Sequence, residues 1–70
     1  MDDIIFFAFR YCLGRRTYAV SMMVDYLLEN WSNLPKNIRD KIKKEIDKAI
    51  KNDEAGADYD IEKWRKILNK

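Results

Sequence analysis

The 70 residues of this chain suffice for one small domain and leave no room for a second. Lys and Arg number 14 against 12 Asp and Glu, and this net charge of +2 is too small to indicate a nucleic-acid or membrane partner by itself. With no His, one Cys and two Gly, the chain lacks the residues for His-based catalysis, His- or Cys-ligated metal sites and Gly-rich phosphate loops. An enzyme is therefore the least expected class, and neither a metal nor a cofactor is predicted.

The first half of the chain predicts two helices separated by a short turn. The first runs from about Asp2 to Leu13 and ends at Gly14, a residue favoured just past a helix end. Its apolar run would also suit a buried strand, but no second strand candidate exists to pair with it. At this length it is too short to cross a bilayer, which takes about 20 residues. The second helix opens with Thr17 as N-cap, runs to about Trp31 and buries one face, made of Val20, Met23, Val24, Leu27, Leu28 and Trp31.

The second half predicts one long amphipathic helix and one short helix. Pro35 stands in the first turn of the long helix, whose apolar stripe comprises Ile38, Ile42, Ile46, Ala49 and Ile50. The segment 52–57 contains Gly56 and is predicted as a loop. Asp58 or Asp60 then caps a last helix that buries Ile61, Trp64, Ile67 and Leu68. The chain is thus predicted to form a single helical domain over residues 1–70, an all-α compact bundle of three to four short helices.

The stretch from Phe9 to Tyr18 carries the candidate binding site. Arg10 interrupts the most apolar segment, where a cation costs free energy unless it is paired or reaches water. Two further arginines precede the second helix, whose free backbone N–H groups favour anions. Thr17 adds a hydroxyl and Tyr18 a ring that can stack on a base. The predicted ligand-binding residues, suited to a phosphate and a base, are Arg10, Arg15, Arg16, Thr17 and Tyr18.

A purely structural role for the same residues stays open at this point. Arg10 could pair with Asp25 or Glu29 of the second helix, Thr17 could serve only as a cap, and Tyr18 could serve only in packing.

Two charged segments are less informative. Four acids surround Gly56 (Asp53, Glu54, Asp58 and Asp60), but their spacing does not fit a calcium-binding EF-hand loop, so capping and salt bridges are expected. The long helix carries many basic residues, but Asp40, Glu45 and Asp47 are interleaved with them. A solvated face with pairs four residues apart is the expected arrangement, and nucleic-acid binding along it is only weakly indicated. The basic residues are Lys36, Arg39, Lys41, Lys43, Lys44, Lys48 and Lys51.

The sequence F-R-Y-x-L-G-R-x-T-Y over residues 9–18 resembles a signature of small bacteriophage-encoded proteins of about this length. The resemblance extends over nearly the whole chain, through Trp31, Glu45-Ile46, Ala49-Ile50, Ala55-Gly56 and Trp64. It implies a phage context rather than an activity. Very small phage proteins without catalytic residues often act by stoichiometric binding, so the resemblance favours a counter-defence role in the host cytoplasm.

The leading hypothesis is a non-enzymatic phage counter-defence protein that sequesters a cyclic or linear nucleotide signal at the arginine-flanked helix N-terminus. The alternative is a stoichiometric protein–protein inhibitor of a host defence enzyme such as a CRISPR effector. A third hypothesis is a small helix-turn-helix DNA-binding regulator, which the acids of the long helix disfavour. So small a domain buries a modest share of its surface, and its first half is rich in apolar residues, so a homo-oligomer is expected.

Overall fold

Five α-helices and one 3₁₀ turn form the protein in the computed structural model, which describes residues 2–70. The elements are α1 (Asp2–Leu13), α2 (Tyr18–Asn30), a 3₁₀ turn (Trp31–Asn33), α3 (Lys36–Lys51), α4 (Ala55–Tyr59) and α5 (Ile61–Leu68). No strand occurs among residues 2–70, and the predicted all-α class is confirmed. The predicted count of three to four helices was too low, because part of the segment predicted as a loop forms α4.

The helices enclose one core that contains most of the predicted apolar stripes. Phe9 of α1 packs edge-on against Trp64 of α5 with ring centroids 5.8 Å apart, and both side chains are fully buried. Five apolar residues that were predicted to be buried are only half-buried: Met23, Leu28, Ile50, Ile61 and Leu68. The other buried apolar residues are Cys12, Leu13, Val20, Val24, Leu27, Trp31, Leu34, Ile38, Ile42, Ile46, Ala49, Ala57 and Ile67. Burial of these stripes is the main free-energy gain of folding.

The turn between α1 and α2 is short and closes with backbone hydrogen bonds. The amide of Gly14 donates to the carbonyl of Tyr11 (3.3 Å), and the amide of Arg15 donates to the carbonyl of Cys12 (3.1 Å). Thr17 holds the predicted N-cap position of α2 in an extended conformation, although its hydroxyl makes no capping hydrogen bond. Because the turn is only residues 14–17, α2 runs back alongside α1 and packs against it.

The end of α3 is fixed by a Schellman motif. Asp53 takes the left-handed conformation at φ 55°, its amide donates to the carbonyl of Ile50 (3.2 Å), and the amide of Glu54 donates to the carbonyl of Ala49 (2.9 Å). Asp tolerates this conformation better than most residues other than glycine. The motif reverses the chain sharply and directs Glu54 toward α1.

Helix α4 corrects the prediction of a loop over residues 52–57. Gly56 is buried, and a Cβ built on it would lie 2.1 Å from the carbonyl oxygen of Cys12 and 2.6 Å from that of Leu13. Glycine is therefore present because α4 approaches the C-terminal end of α1 at backbone distance, and it does not mark a turn. The indole N–H of Trp64 donates to the Gly56 carbonyl (3.0 Å), which fixes α4 to α5.

The predicted cap of the last helix is placed correctly at Asp60, which precedes α5. Its carboxylate does not bind the helix's own N–H groups but accepts a hydrogen bond from the Ser21 hydroxyl of α2.

Candidate functional site

The predicted ligand-binding residues meet at one end of the bundle, where α1 ends, α2 begins and α4 packs against them. We call Arg10, Arg15, Arg16, Thr17 and Tyr18 the arginine turn. Their side chains take different directions: Arg10 contacts Glu45 and Glu54, whereas Arg15 lies over the ring of Tyr11. Acidic side chains from the second half of the chain reach both Arg10 and Arg16.

Arg10 is engaged by two carboxylates. Its Nη1 and Nη2 atoms donate to the two oxygens of Glu54 at 2.9 and 3.2 Å, and its Nε lies 3.5 Å from an oxygen of Glu45. The predicted partners, Asp25 and Glu29, were wrong, because Arg10 faces α3 and the start of α4 rather than α2. The bidentate geometry uses the planar fork of the guanidinium and cancels its charge locally. Arg10 thus connects α1 to the α3–α4 junction.

The two arginines of the turn itself have different surroundings. Arg16 donates to the carboxylate of Asp58 at 3.2 Å, in a pair that is exposed on both sides, and its guanidinium lies 5.9 Å from the ring centre of Tyr59. Arg15 lies over the ring of Tyr11 at 4.3 Å. Among residues 3–70, no carboxylate forms an ion pair with Arg15. Arg15 therefore supplies the one uncompensated guanidinium of the arginine turn.

Thr17 and Tyr18 lie on an open surface. Tyr18 is 73 % exposed, so the alternative that this ring serves only in packing was wrong. Thr17 is also exposed, and no capping bond occupies its hydroxyl. Both side chains are accessible to a partner, but nothing encloses them.

Two further titratable groups have their pKa values shifted by their neighbours. The hydrogen bond from Lys63 to Asp25 (2.9 Å) raises the pKa of Lys63. Burial raises the pKa of the Cys12 thiol, as expected for an unreactive cysteine in an apolar helix. Within the described part of the chain, no three acidic or thiol groups are grouped closely enough to hold a metal ion.

An exposed apolar surface lies on α1 and α2, and its particular residues were not predicted from the sequence. Its residues recur at helical spacing on two adjacent helices, and each is at least 44 % exposed. The sequence signal for this surface was that α1 is apolar all round its circumference. Because a helix in a bundle buries only one side, some of these apolar side chains had to be exposed. We call this surface the outer face; it comprises Ile4, Phe7 and Tyr11 of α1 and Tyr18, Met22 and Tyr26 of α2.

A cavity of about 190 Å³ lies at the N-terminal half of α3, away from the arginine turn. We call it the cationic cleft; its lining residues are Trp31, Lys36, Arg39, Asp40, Lys43 and Lys70. The α3 residues among them follow the spacing i, i+3, i+4, i+7, which places them on one face. This spacing was the available signal, but the interleaved acids of α3 predicted a solvated face without a stripe of one charge sign.

Comparisons with protein-family models, with curated proteins and with solved structures give no match to this chain. Function must therefore be inferred from the arginine turn, the outer face and the cationic cleft. None of the helices between residues 2 and 70 combines the length and the apolar character that a bilayer crossing requires.

Proposed function

We propose that this chain is a non-enzymatic binding protein of phage counter-defence that works as a homo-oligomer, and that copies join through the outer face. The observation that carries the proposal is the exposure of large apolar side chains on this face, up to 73 % for Phe7 and Tyr18. Large apolar side chains exposed together on two neighbouring helices are typical of interaction sites. Tyrosine and methionine are also enriched where proteins meet.

The area of the outer face suits a second copy. Aromatic side chains contribute roughly 150–250 Å² each when buried. Given the exposures of its members, the face offers on the order of 800 Å² per copy, which is about what one partner contributes to a standard interface. A two-fold interface uses the same patch on both copies, so one such face is sufficient.

The two ends of the outer face carry opposite charges, so two copies of the face are complementary when they pack in opposite directions. Arg15 lies at the turn end, while Asp3 and Glu29 are exposed at the opposite end, where α1 begins and α2 finishes. None of these three forms an ion pair with another residue between positions 3 and 70. A two-fold axis perpendicular to the helices would bring Arg15 of one copy to the acidic end of the other, which favours a second copy over an unrelated partner.

An anionic nucleotide signal is the ligand class that we propose for the oligomer, with sequestration as its action. Support comes from the cations that line the cationic cleft, which form no ion pair with a carboxylate among the described residues. The second candidate function is stoichiometric inhibition of a host defence enzyme. The outer face favours this alternative if a host protein, rather than a second copy, covers it.

Light scattering coupled to size-exclusion chromatography tests the oligomer. The wild-type chain is expected to elute as a dimer or a larger assembly, and Phe7→Glu and Met22→Glu are expected to give monomers with unchanged helicity. Lys41→Glu, an exposed position on α3 outside this face, is the matched control and should remain assembled. A monomeric wild type, or assembly that survives both variants, contradicts this part of the proposal.

Phage plating on defended bacteria tests the biological role. Expression of the chain should restore plating against a defence that signals through nucleotides, and a thermal-shift screen should identify the ligand. A ligand present at about 100 times its dissociation constant adds roughly 2.7 kcal/mol to the free energy of unfolding. Protection only against a CRISPR effector would support the inhibitor instead, and protection against neither would refute counter-defence.

A further inference from the structure

We propose that the cationic cleft binds the terminal phosphate of a small ligand, of the class of a linear nucleoside phosphate. The inference rests on the nucleotide part of the proposed function and assigns that ligand to a site other than the arginine turn. Three observations carry it: the charge of the lining, a buried donor without a partner, and the size of the cavity.

The charged side chains from α3 that line the cleft are mostly positive and form no ion pairs within the described residues. Helix α3 alone contributes Lys36, Arg39 and Lys43 against Asp40, and none of the four forms an ion pair within the described residues. The remaining acids of α3 are used elsewhere, since Glu45 contacts Arg10 and Lys48 while Asp47 contacts Lys51 (2.9 Å). The ion pairs of Glu45 and Asp47 therefore do not neutralise the cleft, where net positive charge is concentrated around a concave surface.

Arg39 contributes a donor that the fold leaves unused. Its Nε is buried without a hydrogen-bond partner, the only such side-chain nitrogen or oxygen found in the described part of the chain. A buried donor without an acceptor is costly, more so when the group is charged. The guanidinium of Arg39 also forms no ion pair among residues 3–70. A phosphate in the cleft would accept from its terminal Nη groups, because the guanidinium fork suits phosphate geometry.

The size of the cavity selects the group that enters. Pockets for drug-sized ligands usually occupy about 300–1,000 Å³, and the cleft has about 190 Å³. The cleft is therefore too small to enclose a whole nucleotide, so the phosphate end enters it and the base lies outside. Trp31 is 7 % exposed, so it forms a wall and does not offer its face for stacking.

The charge of the cleft selects a terminal phosphate over a cyclic one. A phosphate monoester carries about −1.5 to −2 charges near neutral pH because its second pKa is about 6. The phosphodiester of a cyclic nucleotide has no second ionisation and exposes fewer free oxygens. The three α3 cations against one carboxylate match the monoester better, so linear nucleotides are expected to bind more tightly than cyclic ones.

Calorimetric titration of the full chain with inorganic phosphate, AMP and cyclic AMP tests the assignment. Inorganic phosphate and AMP are expected to bind competitively, with cyclic AMP at least about tenfold weaker. Lys36→Glu, Lys43→Glu and Arg39→Gln should each weaken AMP binding by roughly tenfold or more, the usual effect of losing a charge-assisted hydrogen bond. Lys41→Glu is the matched control: it changes the charge of α3 equally but lies outside the cleft, and should change affinity less than about threefold.

Four outcomes would overturn the inference. They are no binding of phosphate or AMP, equal weakening by Lys41→Glu and Lys43→Glu, cyclic AMP binding as tight as AMP, and binding of a labelled oligonucleotide in place of AMP with a steep dependence on salt. Failure of the proposed function looks different. AMP binding that is lost in Lys43→Glu but accompanied by no protection of phage would refute sequestration and leave the cleft assignment intact.

Discussion

The arginine turn and the cationic cleft differ in how their cations are used, although each combines basic and aromatic side chains. In the turn, Arg10 is held by Glu54 and Glu45, and Arg16 is held by Asp58. In the cleft, no lining cation has an ion-pair partner among residues 3–70. From this difference we infer that an anion is bound by the cations that the fold leaves without a carboxylate partner. The number of arginines in a short stretch of sequence does not show which cations those are.

Helix α4 is the cause of the difference. The Schellman motif directs Glu54 toward Arg10, which is 44 residues away in sequence, and α4 carries Asp58 to Arg16, 42 residues away. The position of α4 depends in turn on Gly56, whose backbone lies directly against the carbonyls of Cys12 and Leu13. Substitution of Gly56 is therefore expected to remove the ion pairs of the turn, and substitution of Arg10 to weaken them.

The largest effect is expected from Gly56→Ala. The added methyl would lie 2.1 Å from the carbonyl oxygen of Cys12, so α4 must move away from α1 and withdraw the carboxylates from the arginine turn. We expect a loss of more than about 3 kcal/mol in the free energy of unfolding, measured by urea denaturation, because backbone atoms cannot give way as side chains do.

Gly14→Ala provides the control for that variant. A Cβ on Gly14 would lie 3.8 Å from the nearest atom, the Tyr11 carbonyl oxygen, at ordinary contact distance. This variant should change the free energy of unfolding by less than about 1 kcal/mol, in either direction. Equal effects of the two substitutions would contradict the account of how α4 docks.

A smaller effect is expected from Arg10→Met, which keeps an apolar stem and removes the ion pairs. The bidentate bond to Glu54 is half-buried, so we expect a loss of about 1–2 kcal/mol in the free energy of unfolding. Arg16→Met removes an exposed pair and should cost less than about 0.5 kcal/mol. If Arg10→Met were as mild as Arg16→Met, Arg10 would not connect α1 to the α3–α4 junction, and it would be available for a ligand.

The smallest effect concerns alkaline pH. The pKa of Lys63 is raised above its ordinary 10.5 by Asp25, and the pKa of Cys12 is raised above its ordinary 9.0 by burial. Both groups hold their proton more tightly when folded, so their stabilisation is complete below the unfolded pKa and is lost as pH rises through the folded pKa. Urea denaturation should show the free energy of unfolding falling above about pH 9, with a shallower decline in Cys12→Ala. A free energy that rises over this range would refute these proton assignments.

The sequence was sufficient for the elements that local periodicity and capping determine. The limits of α1, the position of Thr17 before α2 and the buried isoleucines of α3 follow from helical spacing and end signals. Helix α4 was missed because glycine usually marks a turn, whereas Gly56 serves a backbone contact with a distant helix. That requirement is set by tertiary packing and leaves no local pattern.

The candidate site was predictable only in part, for a related reason. The position of Arg10, Arg15, Arg16, Thr17 and Tyr18 around the α1–α2 turn follows from their closeness in sequence. The pairing of Arg10 does not, because its partners come from the far end of α3 and from Glu54. The spacing of Lys36, Arg39 and Lys43 in the sequence places them on one face of α3. Whether nearby acids neutralise them depends on which partners those acids contact in the fold.

One nuclear magnetic resonance titration tests the central claim most directly. The Nε–H signals of Arg10, Arg15, Arg16 and Arg39 can be followed in one spectrum while AMP is added to the wild-type chain. We expect the Arg39 signal to shift furthest, with a dissociation constant equal to the one from calorimetry. The Arg10 signal should not shift, because Glu54 and Glu45 hold its guanidinium. Saturating shifts at Arg10 and Arg16, with Arg39 unmoved, would contradict the claim and return the ligand to the arginine turn.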